Sequence, residues 1–176
     1  TVTNGMPLGG VDTGCIDLET SGLWGYVTVF NSCAPRRGPL NTPAFGLSVG
    51  GKTWALCKED CKGCLGDYMK TPVDPPVMGL KLEGVEKARD IHYWGHYPVA
   101  DIEFETDAPV SVGVRAWSPF IPGDVVDSMV PGAVFEARLR NASKSAQKGS
   151  FALSFPGPSA NESLTDKYAR RELGGP

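Results

Sequence analysis

The sequence predicts an all-β fold, an antiparallel β-sandwich, on three observations. Short segments alternate apolar and polar residues with a period of two, and 22 glycines and 15 prolines, about a fifth of the chain, punctuate them. No stretch of ten or more residues sustains apolar spacing at three and four, so helix is a minor component. Many short strands at near-regular intervals suit packed antiparallel sheets. At 176 residues the chain is read as one domain, residues 1–176, with a Cys-rich excursion at about 57–76 and a connecting tail at about 156–176.

Taken in order, residues 5–31 open the chain with a glycine-rich loop. Gly5, Gly9, Gly10 and Gly14 permit backbone conformations closed to other residues, and Tyr26–Phe30 then alternates as a strand. From Asn31 to Pro43 a connection carries Arg36, Arg37 and Gly38. Phe45–Val49 and Lys52–Leu56 flank Gly50-Gly51, which reads as a two-residue hairpin turn. Regular patterning is lost from Cys57 to Pro76, and Met78–Leu82 is a short strand candidate. An aromatic cluster follows at His92, Tyr93, Trp94, His96 and Tyr97.

The clearest alternation lies in Val99–Glu105, with Ala100, Ile102 and Phe104 on one face and Asp101, Glu103 and Glu105 on the other. The pattern repeats three times. Val110, Val112, Val114 and Ala116 form one inward set; Ala133, Phe135, Ala137 and Leu139 form another; Phe151, Leu153 and Phe155 form the last. From Pro156 the chain is polar and ends on Gly174-Gly175-Pro176 without completing an element, as a connection to a further segment would.

Composition narrows the partners. A net charge of -3 without long blocks of one sign offers no footprint for nucleic acid or an anionic membrane. No apolar run approaches the roughly 18 residues that span a bilayer. The first residue is Thr and no charged-then-apolar leader follows, so any signal peptide is expected to have been removed or never present.

Five cysteines include the cluster Cys57-x3-Cys61-x2-Cys64. That spacing also occurs where radical enzymes hold an iron–sulfur cluster, but such enzymes need a large α/β barrel and this chain has no βα repeat. Two readings stay open. A structural zinc would take the three thiolates with Cys33 or His92 as fourth ligand, and a metal- or redox-linked module would rest on the same Cys57, Cys61 and Cys64. Disulfide pairing among Cys33, Cys57, Cys61 and Cys64 is the rival; it would leave Cys15 a buried thiol and would favour a secreted or periplasmic setting.

The other motifs have plainer readings. Gly9 to Gly14 lacks the Gly-Lys-Ser/Thr and the following helix of a phosphate loop, so a close-packed turn is expected. His92 and His96 stand at i and i+4, but Gly95 and Pro98 argue against a helix and favour packing or hydrogen bonding beside aromatics. Asp124 and Asp127 form a carboxylate pair of the kind glycosidases use, although loop carboxylates are more often turn and capping residues. Asn141-Ala-Ser143 and Asn161-Glu-Ser163 match the glycosylation sequon and decide nothing. Trp24, Trp54, Trp94 and Trp117 are stacking candidates for an independent carbohydrate-binding module if exposed together, and core residues if buried.

Several stretches, in order, resemble the N-terminal domain of glycoside hydrolase family 116. They are Gly5-Met-Pro-Leu-Gly-Gly-Val-Asp-Thr-Gly14, Gly25 to Asn31, Tyr97-Pro-Val-Ala-Asp101, Ser118-Pro-Phe-Ile-Pro122, Asp127-Ser128, Phe135-Glu136 and Asn141. The resemblance implies a β-sandwich packed against an (α/α)6 barrel, in which a Glu nucleophile and an Asp acid/base hydrolyse β-glycosides with retention. Those carboxylates would belong to the barrel, so no catalytic residue is expected in this chain. Asp12 stands where the family loop commonly has Gly, and the Cys57–Cys64 insertion departs from the general pattern, which points to a divergent branch.

The expected role is therefore a non-catalytic domain whose partner is a C-terminal catalytic domain of the same protein, with carbohydrate met through that parent. No cofactor is expected apart from the zinc alternative. The loops expected at a domain interface or site rim carry Pro7, Gly9, Gly10, Asp12 and Gly14 in the first, and Phe120, Pro122, Asp124 and Asp127 in the second.

Overall fold

A computed structural model describes residues 5–28, 40, 42–58, 84–155 and 157. Within them every regular element but one four-residue helical turn is a strand, and the strands form three four-stranded sheets. The all-β sandwich expected from the alternation is what the chain adopts.

The first sheet has the order β1 (Met6–Leu8), β2 (Ile16–Leu18), β3 (Leu23–Val27), β4 (Thr42–Pro43), all antiparallel. The expected strand at Tyr26–Phe30 thus begins three residues earlier, at Leu23, and is paired through Val27; Val29 and Phe30 lie outside the described residues. From β4 the chain passes through Ala44 alone into β5 (Phe45–Val49) and the second sheet. There β5 pairs with β6 (Lys52–Ala55) across Gly50-Gly51, whose φ values of 62° and 79° are the left-handed ones such a turn requires. β12 (Gly149–Leu153) pairs on the other side of β5, and β7 (Val85–Lys87) joins β6 in the one parallel ladder among the described strands.

The third sheet has the order β11, β10, β9, β8, from β11 (Val134–Asn141), β10 (Val110–Trp117), β9 (Val99–Glu105) and β8 (Asp90–His96). Its antiparallel register is continuous, so the face of every residue follows from the pairing. The aromatic cluster at His92 to His96 is part of β8, with Ile91 and Tyr93 turned inward; the Tyr93 hydroxyl donates to the Leu18 carbonyl at 3.1 Å. The Cys-rich excursion beyond Lys58 and the strand expected at Met78–Leu82 lie outside the described residues.

All three sheets converge on Trp24 and Phe45. The Phe45 ring lies within about 6 Å of Trp24, Phe104, Phe135 and Phe151 by ring centroid, and Leu8, Leu18, Ile102, Val112 and Val114 close around them. Burying a side chain of this size contributes about 2–3 kcal/mol, and edge-to-face ring pairs add to it. Trp24 is further held by a hydrogen bond from its Nε1 to the Ser154 carbonyl, and Trp54 by one of 3.0 Å to the Asp107 carboxylate.

Among the described residues one side of the sandwich stays open. β11 and β12 are the edge strands of the third and second sheets and are not paired with each other. Ala137 and Leu139, expected inward from the alternation of β11, face the core side of their sheet but are exposed. Leu153 and Phe155 are exposed as well.

Candidate functional site

The two glycine- and proline-rich loops singled out in the sequence lie against each other. Ser118 leaves β10 and turns inward, where its Oγ accepts a 2.6 Å hydrogen bond from the Gly9 amide. Val11 donates its amide to the Ser128 carbonyl at 2.8 Å. Between these two bonds the Gly10 backbone runs so close to Val130 that a Cβ would fall on the Val130 carbonyl. Gly10 is thus glycine for reasons of backbone approach.

The second loop holds its own shape through Ser128. The Ser128 hydroxyl is buried; its Oγ accepts from the Ile121 amide at 2.8 Å and donates to the Asp124 carbonyl at 2.6 Å. Asp124 caps a four-residue helical turn, α1 (Val125–Ser128), its Oδ1 accepting from the Asp127 amide at 3.0 Å. Asp124 is therefore engaged as a cap, and Asp127 projects into solvent beside it. Ser118 and Ser128, the residues that do the bridging, stand in the sequence as parts of the family-like stretches Ser118–Pro122 and Asp127-Ser128, with nothing that marks their hydroxyls.

Asp12 sits at the exposed tip of the first loop with φ 58°, a left-handed conformation that costs an L-residue about 1–2 kcal/mol and that Asp and Asn tolerate best. Pro7 lies exposed in β1 and Gly14 returns the chain toward β2, with φ 90°. Phe120 packs edge-on against Tyr97 at 5.5 Å, and Pro122 is exposed at the turn before Gly123.

What this ledge offers is apolar surface. Phe120, Ile121, Val125, Val126, Met129 and Val130 are all exposed, and Val126 shows 79% of its surface. The ledge borders a groove of about 620 Å³ floored by Leu8, Ile16, Trp24 and Phe135 and walled by Pro131, Leu153 and Phe155. A second hollow of about 260 Å³ between Leu139 and Phe151 follows the same open side of the sandwich. Cys15 borders the larger groove; burial, and to a lesser degree Asp17, push its thiol pKa up against the lowering effect of the Thr28 hydroxyl 3.3 Å away, which makes it a poor nucleophile.

The other candidates are dispersed. Among the described residues no group of three His, Cys, Asp or Glu side chains could hold a metal ion. Cys33, Cys61 and Cys64 lie outside the described residues, and Cys57 is buried at the end of β6. Trp24 and Trp54 are core residues, 1% and 2% exposed, whereas Trp94 and Trp117 are exposed on the outer face of the third sheet. His92 bonds the Glu105 carboxylate at 2.7 Å, which raises its pKa, and stacks on Trp94.

A carboxylate that the sequence did not mark is Glu19. It is buried beneath Gly25 and accepts the Gly5 amide at 3.1 Å; burial and the neighbouring Asp17 raise its pKa to about 7.

The family model described as beta-glucosidase 2, glycosyl-hydrolase family 116 N-term, matches residues 5–173. The chain belongs to that family. The glycine loop, β3, the turn into β9 and the Ser118–Ser128 loop all fall within the matched range, so the ledge is built from family-116 N-terminal-domain sequence. No curated protein matches the chain. No helix among the described residues is long and apolar enough to cross a membrane.

Proposed function

We propose that this chain is the non-catalytic β-sandwich of a larger family-116 glycoside hydrolase, and that it docks through the ledge and the open side of the sandwich onto a C-terminal (α/α)6 barrel that hydrolyses β-glycosides. The observation that carries this reading is the gathering of exposed apolar side chains, Phe120 to Val130, onto one ledge beside an apolar groove. Exposed apolar surface of this continuity marks a protein contact. Membership of a family defined as an N-terminal part supports a further part of the same protein as the covering partner.

The role of the domain is mechanical. Covering the ledge stabilises both partners, and the loop tips at Asp12, Pro122 and Asp127 reach the rim of the sugar site. Substrate is met through the barrel, which supplies the reacting carboxylates.

The test uses the complete protein and this chain side by side. Val126→Asp places a charge where an apolar contact is expected, at a cost of at least about 2 kcal/mol if the contact is buried. The complete protein is expected to lose several degrees in Tm and to lose turnover of an aryl β-glucoside. The 176-residue chain is expected to keep its own Tm and to show no hydrolysis. An unchanged complete protein would contradict the docking surface, and hydrolysis by this chain would contradict the non-catalytic role.

A further inference from the structure

Side chains on the outer face of the third sheet fall into rows fixed by the register. One row runs Trp94, Asp101, Arg115, Glu136 across the four strands, and the next runs His92, Glu103, Gly113, Arg138. Gly113 interrupts its row, and a hollow of about 300 Å³ opens there between Trp94, Asp101, Glu103, Arg115 and Arg138. A Cβ at Gly113 would meet nothing closer than the Ile102 carbonyl oxygen at 3.6 Å, so neither close approach nor backbone conformation demands glycine. The missing side chain leaves the hollow open.

One aromatic plate stands beside the hollow. Trp94, on the edge strand β8, is 53% exposed and lines it, whereas Trp117 lies on the same face two rows from Gly113. Trp94 is braced: His92 stacks on it at 6.0 Å and 24°, and Glu105 fixes His92 by the 2.7 Å bond. The polar groups around the hollow are also fixed in direction. Asp101 accepts two bonds from Arg115, at 2.8 and 2.9 Å, and Glu136 accepts one from Arg138 at 3.0 Å.

These pairings select the ligand. Each guanidinium already faces a carboxylate and Glu103 adds a third, so the face has no excess positive charge to attract a phosphate or an acidic polymer. An apolar partner would strip water from the ion pairs without replacing it. A neutral sugar does neither: its C–H face lies on an indole, and its hydroxyls bond the unused lone pairs and N–H groups of the paired ions.

We propose that the outer face of the β8–β11 sheet is a binding subsite for neutral oligosaccharides, with Trp94 as stacking plate and the Gly113 hollow receiving the adjoining hydroxyls. The subsite does not rest on the docking of the ledge, to which Trp94 and Gly113 do not belong.

Affinity electrophoresis of this chain in gels containing lichenan, xyloglucan or galactomannan tests it, with polygalacturonate as the anionic comparison. At least one neutral polysaccharide is expected to retard the chain. Trp94→Ala and Gly113→Leu, the second filling the hollow, are each expected to weaken that retardation tenfold or more, and Trp117→Ala, on the same face but outside the hollow, to leave it within about twofold. Unchanged circular dichroism shows that a variant is folded; should Gly113→Leu fail this, Trp94→Ala decides alone. The proposal is overturned if no neutral polysaccharide retards the chain, if Trp94→Ala binds as well as the original, or if polygalacturonate is preferred. It is equally overturned if Trp94→Ala alters only self-association or the stability of the complete protein, since the face would then be a protein contact.

Discussion

Gly9 donates its amide proton to the Ser118 hydroxyl across 2.6 Å, joining two loops 109 residues apart in the chain. Ser118 is fully buried, so this bond is sheltered from water and its loss leaves the Gly9 amide without its acceptor. Ser118→Ala is expected to destabilise the chain by about 1–3 kcal/mol. Gly10→Ala, whose methyl would fall on the Val130 carbonyl, forces the loops apart and is expected to cost a similar amount. Urea unfolding of each variant measures both; a change below about 0.5 kcal/mol would show that the loops are not held together in solution.

Asp12 occupies a left-handed position at φ 58°, a conformation that glycine adopts without strain. Asp12→Gly removes the conformational cost and is expected to leave stability unchanged or raise it by up to about 1 kcal/mol. Asp12→Val places a β-branched residue there and is expected to lower stability by about 1–2 kcal/mol. The same urea curves decide. A tolerated valine would mean that the loop adopts another conformation.

Glu19 makes stability depend on pH. Its folded pKa of about 7 lies above the ordinary 4.5, because burial and Asp17 disfavour the charge and the single Gly5 amide does not offset them. The folded chain therefore binds the proton more tightly than the unfolded chain. This contribution is full below about pH 4.5 and is lost as pH rises through about 7, a fall of up to about 3 kcal/mol. Asp17 shifts the same way, and Tyr93, also pushed up by burial, stays neutral across the window. Glu19→Gln is expected to match the original near pH 5 and to exceed it by about 2–3 kcal/mol at pH 8. Parallel pH profiles would rule out a buried carboxylate at this position.

Phe45 and Leu139 look alike in the pattern of their strands and differ in surroundings. Phe45 is enclosed by four rings, and Phe45→Ala is expected to cost about 3–5 kcal/mol. Leu139 stands on the open side with half its surface exposed, and Leu139→Ser is expected to change the stability of this chain by less than about 0.5 kcal/mol. A large loss at Leu139 would mean that the side is closed.

The legible parts of the fold are those where periodicity had room to act. β9 spans Val99–Glu105, the residues whose alternation marked it, and the β5–β6 hairpin turns at Gly50-Gly51. β1, β2 and β7 are three residues each, too short for a period of two to stand out. β8 was masked because large aromatics fill both of its faces. Leu139 reads as core because alternation reports which side of a strand is apolar, not whether anything covers it. The loops of the ledge were marked by glycine, proline and carboxylate. Their contact, and the serines that make it, depend on pairing across the whole chain, which no local signal carries.

Hydrogen–deuterium exchange tests the docking of the ledge most directly, comparing this chain alone with the same residues in the complete protein. Amides of 9–14 and 118–134 are expected to gain protection in the complete protein, while β5, β9 and β10, already enclosed, change little. Equal exchange of the ledge in both settings, or new protection confined to other surfaces, would contradict the account.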